Sequence, residues 1–218
     1  MEISTSILSV EKENATRTFY DIEVAKTDYF HIDVMDGKFV EKDTSSCMKE
    51  YATTIKHISN LPLDVHLMVE NQKEYIEEYS ALEPKFITIH YESFKNKEDV
   101  LDTIRYIKEI GLRAGLSIKP QTKVEDILDF LPFLSLVLVM TVEPGKGGQD
   151  LIPETLEKIT ELAKYREEKN LDYFIEADGG INLETIADVA NAGCDIAVVG
   201  SAIINAENKA EIIQKLKM

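Results

Sequence analysis

Eight short runs rich in Ile, Val and Phe recur along this chain, each separated from the next by a longer, more polar stretch. The runs are EISTSIL (2–8), YFHIDVM (29–35), LDVHLMV (63–69), KFITIHY (85–91), RAGLSIK (113–119), LSLVLVM (134–140), YFIEAD (173–178) and DIAVVG (195–200). Each is bounded by polar, Gly or Pro residues, as strands are. Between them lie segments with helical spacing. VLDTIRYIKEIG (100–111) places apolar residues at 100, 101, 104, 107 and 110 and ends in glycine. PETLEKITELAKYREEKN (153–170) opens on a proline suited to a first helical turn. NLETIADVANAG (182–193) has an Asn cap and closes on Gly193, and AENKAEIIQKLK (206–217) reads as a final helix. Eight strands alternating with eight helical segments imply an α/β fold with parallel strands. An open doubly wound sheet and a closed barrel both satisfy the pattern. The count of eight and the 218 residues favour a single (β/α)8 TIM barrel over 1–218, and no GxGxxG opens the first helix. In either arrangement the functional groups belong at the C-terminal ends of the strands.

Several strands carry residues that are costly to bury. Residues i and i+2 share a strand face. In HIDVMDG (31–37), His31, Asp33 and Met35 therefore face one way, and Ile32 and Val34 the other. In the third strand His66 and Met68 share a face with Asp64. In the seventh, Asp178 shares one with Glu176 and Phe174, and Met140 ends the sixth. In a barrel, His31, Asp33, His66 and Asp178 converge at the top of the interior. Two imidazoles and two carboxylates form a divalent-metal set, suited first to Zn2+ and also to Fe2+, Mn2+ or Co2+. An ion there keeps both carboxylates charged despite burial. Met35, Met68 and Met140 then form an apolar wall beside it. A lone strand histidine is more often a satisfied core or surface residue, and His57 and His90 read that way.

The net charge is −16, from 24 basic and 40 acidic residues. Such a chain is a poor candidate for nucleic acid or anionic membrane. Any anionic substrate has to be held by local donors. Three glycine-bearing stretches offer them: EPGKGGQ (143–149) after the sixth strand, DGGIN (178–182) after the seventh and GSAI (200–203) after the eighth. Loops after the last two strands of a barrel commonly bind phosphate through backbone N–H groups. EPGKGGQ is dense enough in glycine to serve as a closing loop. The two cysteines, Cys47 and Cys194, have no metal spacing, and the first residues carry no secretion signal, so a cytoplasmic location is expected.

SILS (6–9), HIDVMDGKFV (31–40), LDVHLMV (63–69), GLSIKPQT (115–122), MTVEPGKGGQ (140–149), EADGGIN (176–182) and VVGSAI (198–203) together resemble the ribulose-phosphate 3-epimerase family of (β/α)8 barrels. They occur in family order across essentially the whole chain. The resemblance implies metal ligation by His31, Asp33, His66 and Asp178, with Asp33 and Asp178 also the acid/base pair. It implies substrate contacts by Ser6, His66, Met35, Met68 and Met140. Gly145, Gly147 and Gly148 fall in the closing loop, and Gly179, Gly180, Gly200 and Ser201 in the phosphate-binding turns. The implied substrate is D-ribulose 5-phosphate, interconverted with D-xylulose 5-phosphate through an enediolate, with one divalent ion and no organic cofactor. A homo-oligomer, dimer or larger, is implied as well.

The chain departs from the family pattern at four places. Lys119 stands where the family usually carries Asn, and Lys146 where many members carry Phe. Glu41-Lys42-Asp43 replaces the usual VPN, and VEKEN follows SILS. None touches the metal set. Epimerisation of a hexulose 6-phosphate such as D-allulose 6-phosphate is the alternative reading, and a non-catalytic sugar-phosphate-binding protein a remote one. A lyase on the same barrel calls for a strand-end lysine, for which Lys119 is the only candidate.

Overall fold

In a computed structural model of the chain, which describes residues 1–217, eight parallel strands close into a barrel in sequence order. They are β1 (Glu2–Ser6), β2 (Tyr29–Met35), β3 (Leu63–Met68), β4 (Phe86–His90), β5 (Ala114–Ile118), β6 (Leu136–Met140), β7 (Phe174–Asp178) and β8 (Ile196–Val199). Every strand expected from the sequence is present, shortened by at most two residues at either end. The helices are α1 (Ala15–Val24), α2 (Ser45–Ile58), α3 (Gln72–Ser80), α4 (Lys97–Glu109), α5 (Leu156–Lys169), α6 (Ile186–Asn191), α7 (Ser201–Ile204) and α8 (Lys209–Leu216).

The helices are not distributed one per strand as the sequence pattern suggests. The β5-to-β6 connection has no α-helix. It carries two single 3-10 turns, Val124–Asp126 and Leu131–Phe133. Pro132 within the second turn has no N–H to donate, which bars a continuous helix through Leu131. Val124, Ile127, Phe130 and Leu131 nevertheless bury their side chains against the sheet. Two helices, α7 and α8, follow β8 instead. The expected helix over 182–193 contracts to α6. Asn182 Oδ1 accepts from Glu184 N (2.8 Å) and Thr185 N (3.3 Å), forming the turn that leads into it.

The pleat sorts each strand into two faces. Ile32, Val34, Val65, Leu67, Ile87, Ile89, Val137 and Val139 belong to the core between sheet and helices. The other face fills the barrel. Its lower end is apolar: Tyr29, Phe86 and Phe174 pack ring to ring at 6.0 and 5.9 Å, beside Leu136 and Ile196. The upper end is polar and carries His31, Asp33, Asp64, His66, Thr88, His90, Ser117 and Glu176, all buried. No helix among the described residues is long and apolar enough to cross a membrane.

Gly115 on β5 makes room for this interior. A Cβ there would lie 2.3 Å from Thr88 Oγ1 and 3.2 Å from Leu136 Cδ2. Gly115→Ala is expected to cost about 1–3 kcal/mol through overpacking. A thermal melt reads this as a midpoint lower by several degrees, and an unchanged midpoint would contradict the packing described.

Candidate active site

Four side chains meet at the top of the barrel. β2 supplies His31 and Asp33, β3 supplies His66 and β7 supplies Asp178. Asp33 and His66 are direct cross-strand neighbours, and Asp178 pairs with Met140 of β6. His31 Nε2 lies 3.4 Å from Asp33 Oδ1 and 3.9 Å from Asp178 Oδ2. His66 Nδ1 lies 3.5 Å from the same oxygen of each carboxylate. One ligand atom from each residue falls within 4.8 Å of all the others.

His31 Nε2 and His66 Nδ1 are buried and have no hydrogen-bond partner. Two orphaned imidazole nitrogens aimed at two carboxylates are costly unless protons or a cation lie among them. Two nitrogens and two oxygens also suit a divalent transition metal. The residues present therefore fit a metal ion, and the cluster could hold one.

The surroundings orient the four residues. His31 Nδ1 lies 2.6 Å from Asp64 Oδ2, which also accepts from Ser4 Oγ (2.8 Å). The carboxylate accepts the Nδ1–H hydrogen bond, which leaves Nε2 to face the cluster. Glu176 lies beneath. Burial and then the Asp64 charge push its carboxyl well above the usual range, favouring the neutral acid. On the other side, Ser6 Oγ donates to Asp33 Oδ2 (2.6 Å) and Thr44 Oγ1 donates to the Asp33 carbonyl (2.6 Å). Burial alone would raise the Asp33 pKa, but the facing His31 and His66 rings bring it below the usual carboxylate range. Burial alone would suppress the His31 cation; Asp64 and Asp33 outweigh that and raise its pKa well above the usual value.

Above the cluster opens a cavity of about 220 Å³. Asp33 and Asp178 reach its wall with Ser6, Met35, Met68 and Met140. His31 and His66 are fully buried behind it. His66, expected to touch substrate, does not line the cavity; its ring packs against His90 instead. Gly145, Gly147 and Gly148 line one side, and Gly179, Gly180, Gly200 and Ser201 the other. Gly180 has φ +68°, and a Cβ on it would lie 2.2 Å from Leu151 N, so no other residue fits. The 143–149 loop is braced by Gln149 Nε2, which donates to the carbonyls of Glu143 (2.7 Å) and Lys146 (2.8 Å). It reaches across the mouth: a Cβ on Gly145 would lie 3.1 Å from Val40, and one on Gly147 3.7 Å from Ser9.

The profile of the ribulose-phosphate 3 epimerase family matches residues 2–204. The chain belongs to that family. It is 36% identical over 218 residues to the ribulose-phosphate 3-epimerase of Bacillus subtilis, covering 100% of this chain and 98% of the relative. It is 35% identical to that of Synechocystis sp., covering 97% and 90%. Among solved structures it is similar to 3-keto-L-gulonate-6-phosphate decarboxylase from Vibrio cholerae, with a TM-score of 0.72 at 11% identity, covering 99% of this chain and 95% of that one. At that identity the likeness concerns the barrel alone.

Taken singly, the groups behind the cluster carry no signature of their own in the sequence. Asp64 and Glu176 shared a face with the ligand candidates, but spacing gave them no partner. By sequence His90 reads as a satisfied core histidine. It contacts His66 at 2.9 Å between their Nε2 atoms. The HxE spacing of His90 and Glu92 was the available signal. His57 lies exposed on α2, away from the cluster.

Excess Zn2+ should stabilise the protein. At a hundred times the dissociation constant the gain is about 2.7 kcal/mol, or about 5–10 °C in a thermal melt. In His31→Ala that rise should largely vanish. An equal rise in the variant would place the ion elsewhere.

Proposed function

We propose that this chain is a metal-dependent 3-epimerase that interconverts D-ribulose 5-phosphate and D-xylulose 5-phosphate, the whole chain acting as one catalytic domain. The observation that carries this is the placement of Asp33 and Asp178. They reach one cavity from β2 and β7, two strands separated by β8 and β1, over a cluster that fits a cation. Family membership and the names of the relatives support the substrate.

Epimerisation at C3 removes a carbon-bound proton beside the C2 carbonyl and returns one to the opposite face. One aspartate takes the proton, and the C–H electron pair moves into the carbonyl to give an enediolate. The other aspartate, protonated, delivers its proton to C3 from the far side and the carbonyl re-forms. A divalent ion, when bound, supplies positive charge to the oxygens on which negative charge develops. His31, Asp33, His66 and Asp178 would hold it. Ser6 holds Asp33 through its Oδ2, which leaves Oδ1 toward the cluster. Met35, Met68 and Met140 give the reacting carbon an apolar surround. The reaction is reversible, so each aspartate serves as base in one direction.

The backbone N–H groups of the Gly179–Gly180 and Gly200–Ser201 turns are assigned to the phosphate, where neither turn needs a cationic side chain. Lys146 adds one. It is the only Lys or Arg among the described residues that line the cavity, which also presents Asp33, Glu143, Asp150 and Asp178. A dianionic substrate entering such a wall benefits from it. Lys146→Gln should raise KM roughly tenfold, about 1.4 kcal/mol, with kcat changed less. An unchanged KM would remove Lys146 from substrate recognition. Cytoplasmic residence and a homo-oligomer belong to the same proposal, on the family resemblance.

The deciding experiment is a turnover screen over pentulose and hexulose phosphates with defined metals. The largest kcat/KM should fall on D-ribulose 5-phosphate, and activity should disappear with a chelator and return with the ion. A larger kcat/KM on a hexulose 6-phosphate would transfer the assignment to that substrate. Inactivity on all of them with ion bound would leave a sugar-phosphate-binding protein.

A further inference from the structure

A buried line of hydrogen bonds runs away from the cluster on the β4 side. His66 Nε2 lies 2.9 Å from His90 Nε2, and His90 Nδ1 lies 3.1 Å from Glu92 Oε2. Both rings are fully buried, stacked with centroids 4.9 Å apart. Phe39 covers His90 at 4.8 Å, and the Lys119 ammonium lies 4.1 Å from the centre of the Phe39 ring. Glu92 follows β4. Its Oε1 accepts from the Lys119 backbone N–H (2.7 Å) and from the Thr122 hydroxyl.

Donor and acceptor bookkeeping settles the protons. Two imidazole nitrogens at 2.9 Å share one proton between them. Glu92 already accepts two donors on Oε1, which holds it as a carboxylate. Burial opposes its charge, yet the bonds from His90, Lys119 and Thr122 bring its pKa down to about 2. An ionised Oε2 can only accept, so His90 carries its proton on Nδ1. His90 Nε2 is then the acceptor and His66 Nε2 the donor. His66 Nδ1, the atom facing Asp33 and Asp178, is then the nitrogen whose lone pair a cation in the cluster can take. His31 obtains the same result directly from Asp64; His66 obtains it through a second histidine.

We propose that Glu92 and His90 are positioning residues that set the tautomer and orientation of His66, so that its Nδ1 is presented to a cation in the cluster. This rests on the reading of the cluster as an ion site. Metal-bound histidines generally need such a partner on the other nitrogen, and its loss weakens the ion by about 10–100-fold. Lys119, where the family usually has Asn, enters through its backbone N–H, which any residue other than proline supplies. Its side chain takes no part in the line.

Glu92→Gln is the informative variant because its amide has one way to sit. The carbonyl oxygen stays on the Lys119 N–H and the Thr122 hydroxyl. The NH2 then points at His90 Nδ1 and needs an acceptor there. The His90 proton moves to Nε2, His66 loses its acceptor, and the His66 proton is driven to Nδ1. Glu92→Asp keeps an acceptor-only carboxylate although it is shorter. Zn2+ affinity, measured by chelator competition, should fall about 10–100-fold in Glu92→Gln and less in Glu92→Asp. A purely structural Glu92 gives the reverse order, since Gln fills the same space. Gln affinity equal to wild type, or milder loss in Gln than in Asp, overturns the proposal. Should Glu92→Gln not fold, 15N NMR of the Zn2+-loaded wild type decides. His90 protonated on Nδ1 supports the line, and His90 protonated on Nε2 overturns it. Wild-type protein that binds no Zn2+ at the cluster would instead sink the ion-site reading beneath it.

Discussion

Everything at the top of this barrel depends on the cost of burying two histidines and two carboxylates within a few ångströms of one another. Water cannot reach the orphaned His31 Nε2 and His66 Nδ1, so their satisfaction has to come from within the cluster. That requirement explains the rest of the interior. Ser4 and Asp64 hold His31, Ser6 and Thr44 hold Asp33, and His90 and Glu92 hold His66. The aromatic plug of Tyr29, Phe86 and Phe174 keeps the lower barrel dry. Three of the four ligand candidates, His31, Asp33 and His66, are thus braced from outside the cluster. A rigid frame of this kind lets two carboxylates act on a substrate without collapsing onto the histidines.

The same frame separates two jobs. In the proposed reaction the interior handles charge at the reacting carbon, and the loops handle the phosphate. The chain carries a net charge of −16, so its anion site cannot come from a general basic field. The proposed phosphate site answers this locally with backbone N–H groups in glycine turns, and Lys146 on the loop across the mouth adds one point charge. Two of the glycines that line this wall admit no side chain. Gly180 needs a positive φ and a close approach to Leu151, and Gly179 has φ +123° with room for a Cβ blocked by Val142 at 2.2 Å.

The strands and the four cluster residues were legible in the sequence because both rest on the two-residue period of a buried strand. HIDVM and DVHLM place polar groups on one face regardless of context. The missing helix between β5 and β6 was not legible by counting segments. Val124, Ile127, Phe130 and Leu131 have spacing a helix would also give, yet the segment forms only two short 3-10 turns, the second containing Pro132. The bracing residues were harder still. His90 looks like any core histidine until β4 is set beside β3, because its partner His66 is 24 positions away in sequence. Pairwise meaning of that sort exists only once the barrel closes.

The central claim is that Asp33 and Asp178 are two separate proton carriers serving opposite faces of one carbon. The most direct test follows solvent deuterium into C3 with Asp33→Asn and Asp178→Asn, each matched for bound ion. Each variant should exchange the C3 proton of one epimer only, a different one for each, with net epimerisation lost. Exchange of the same epimer by both variants, or retained epimerisation in either, would contradict the account.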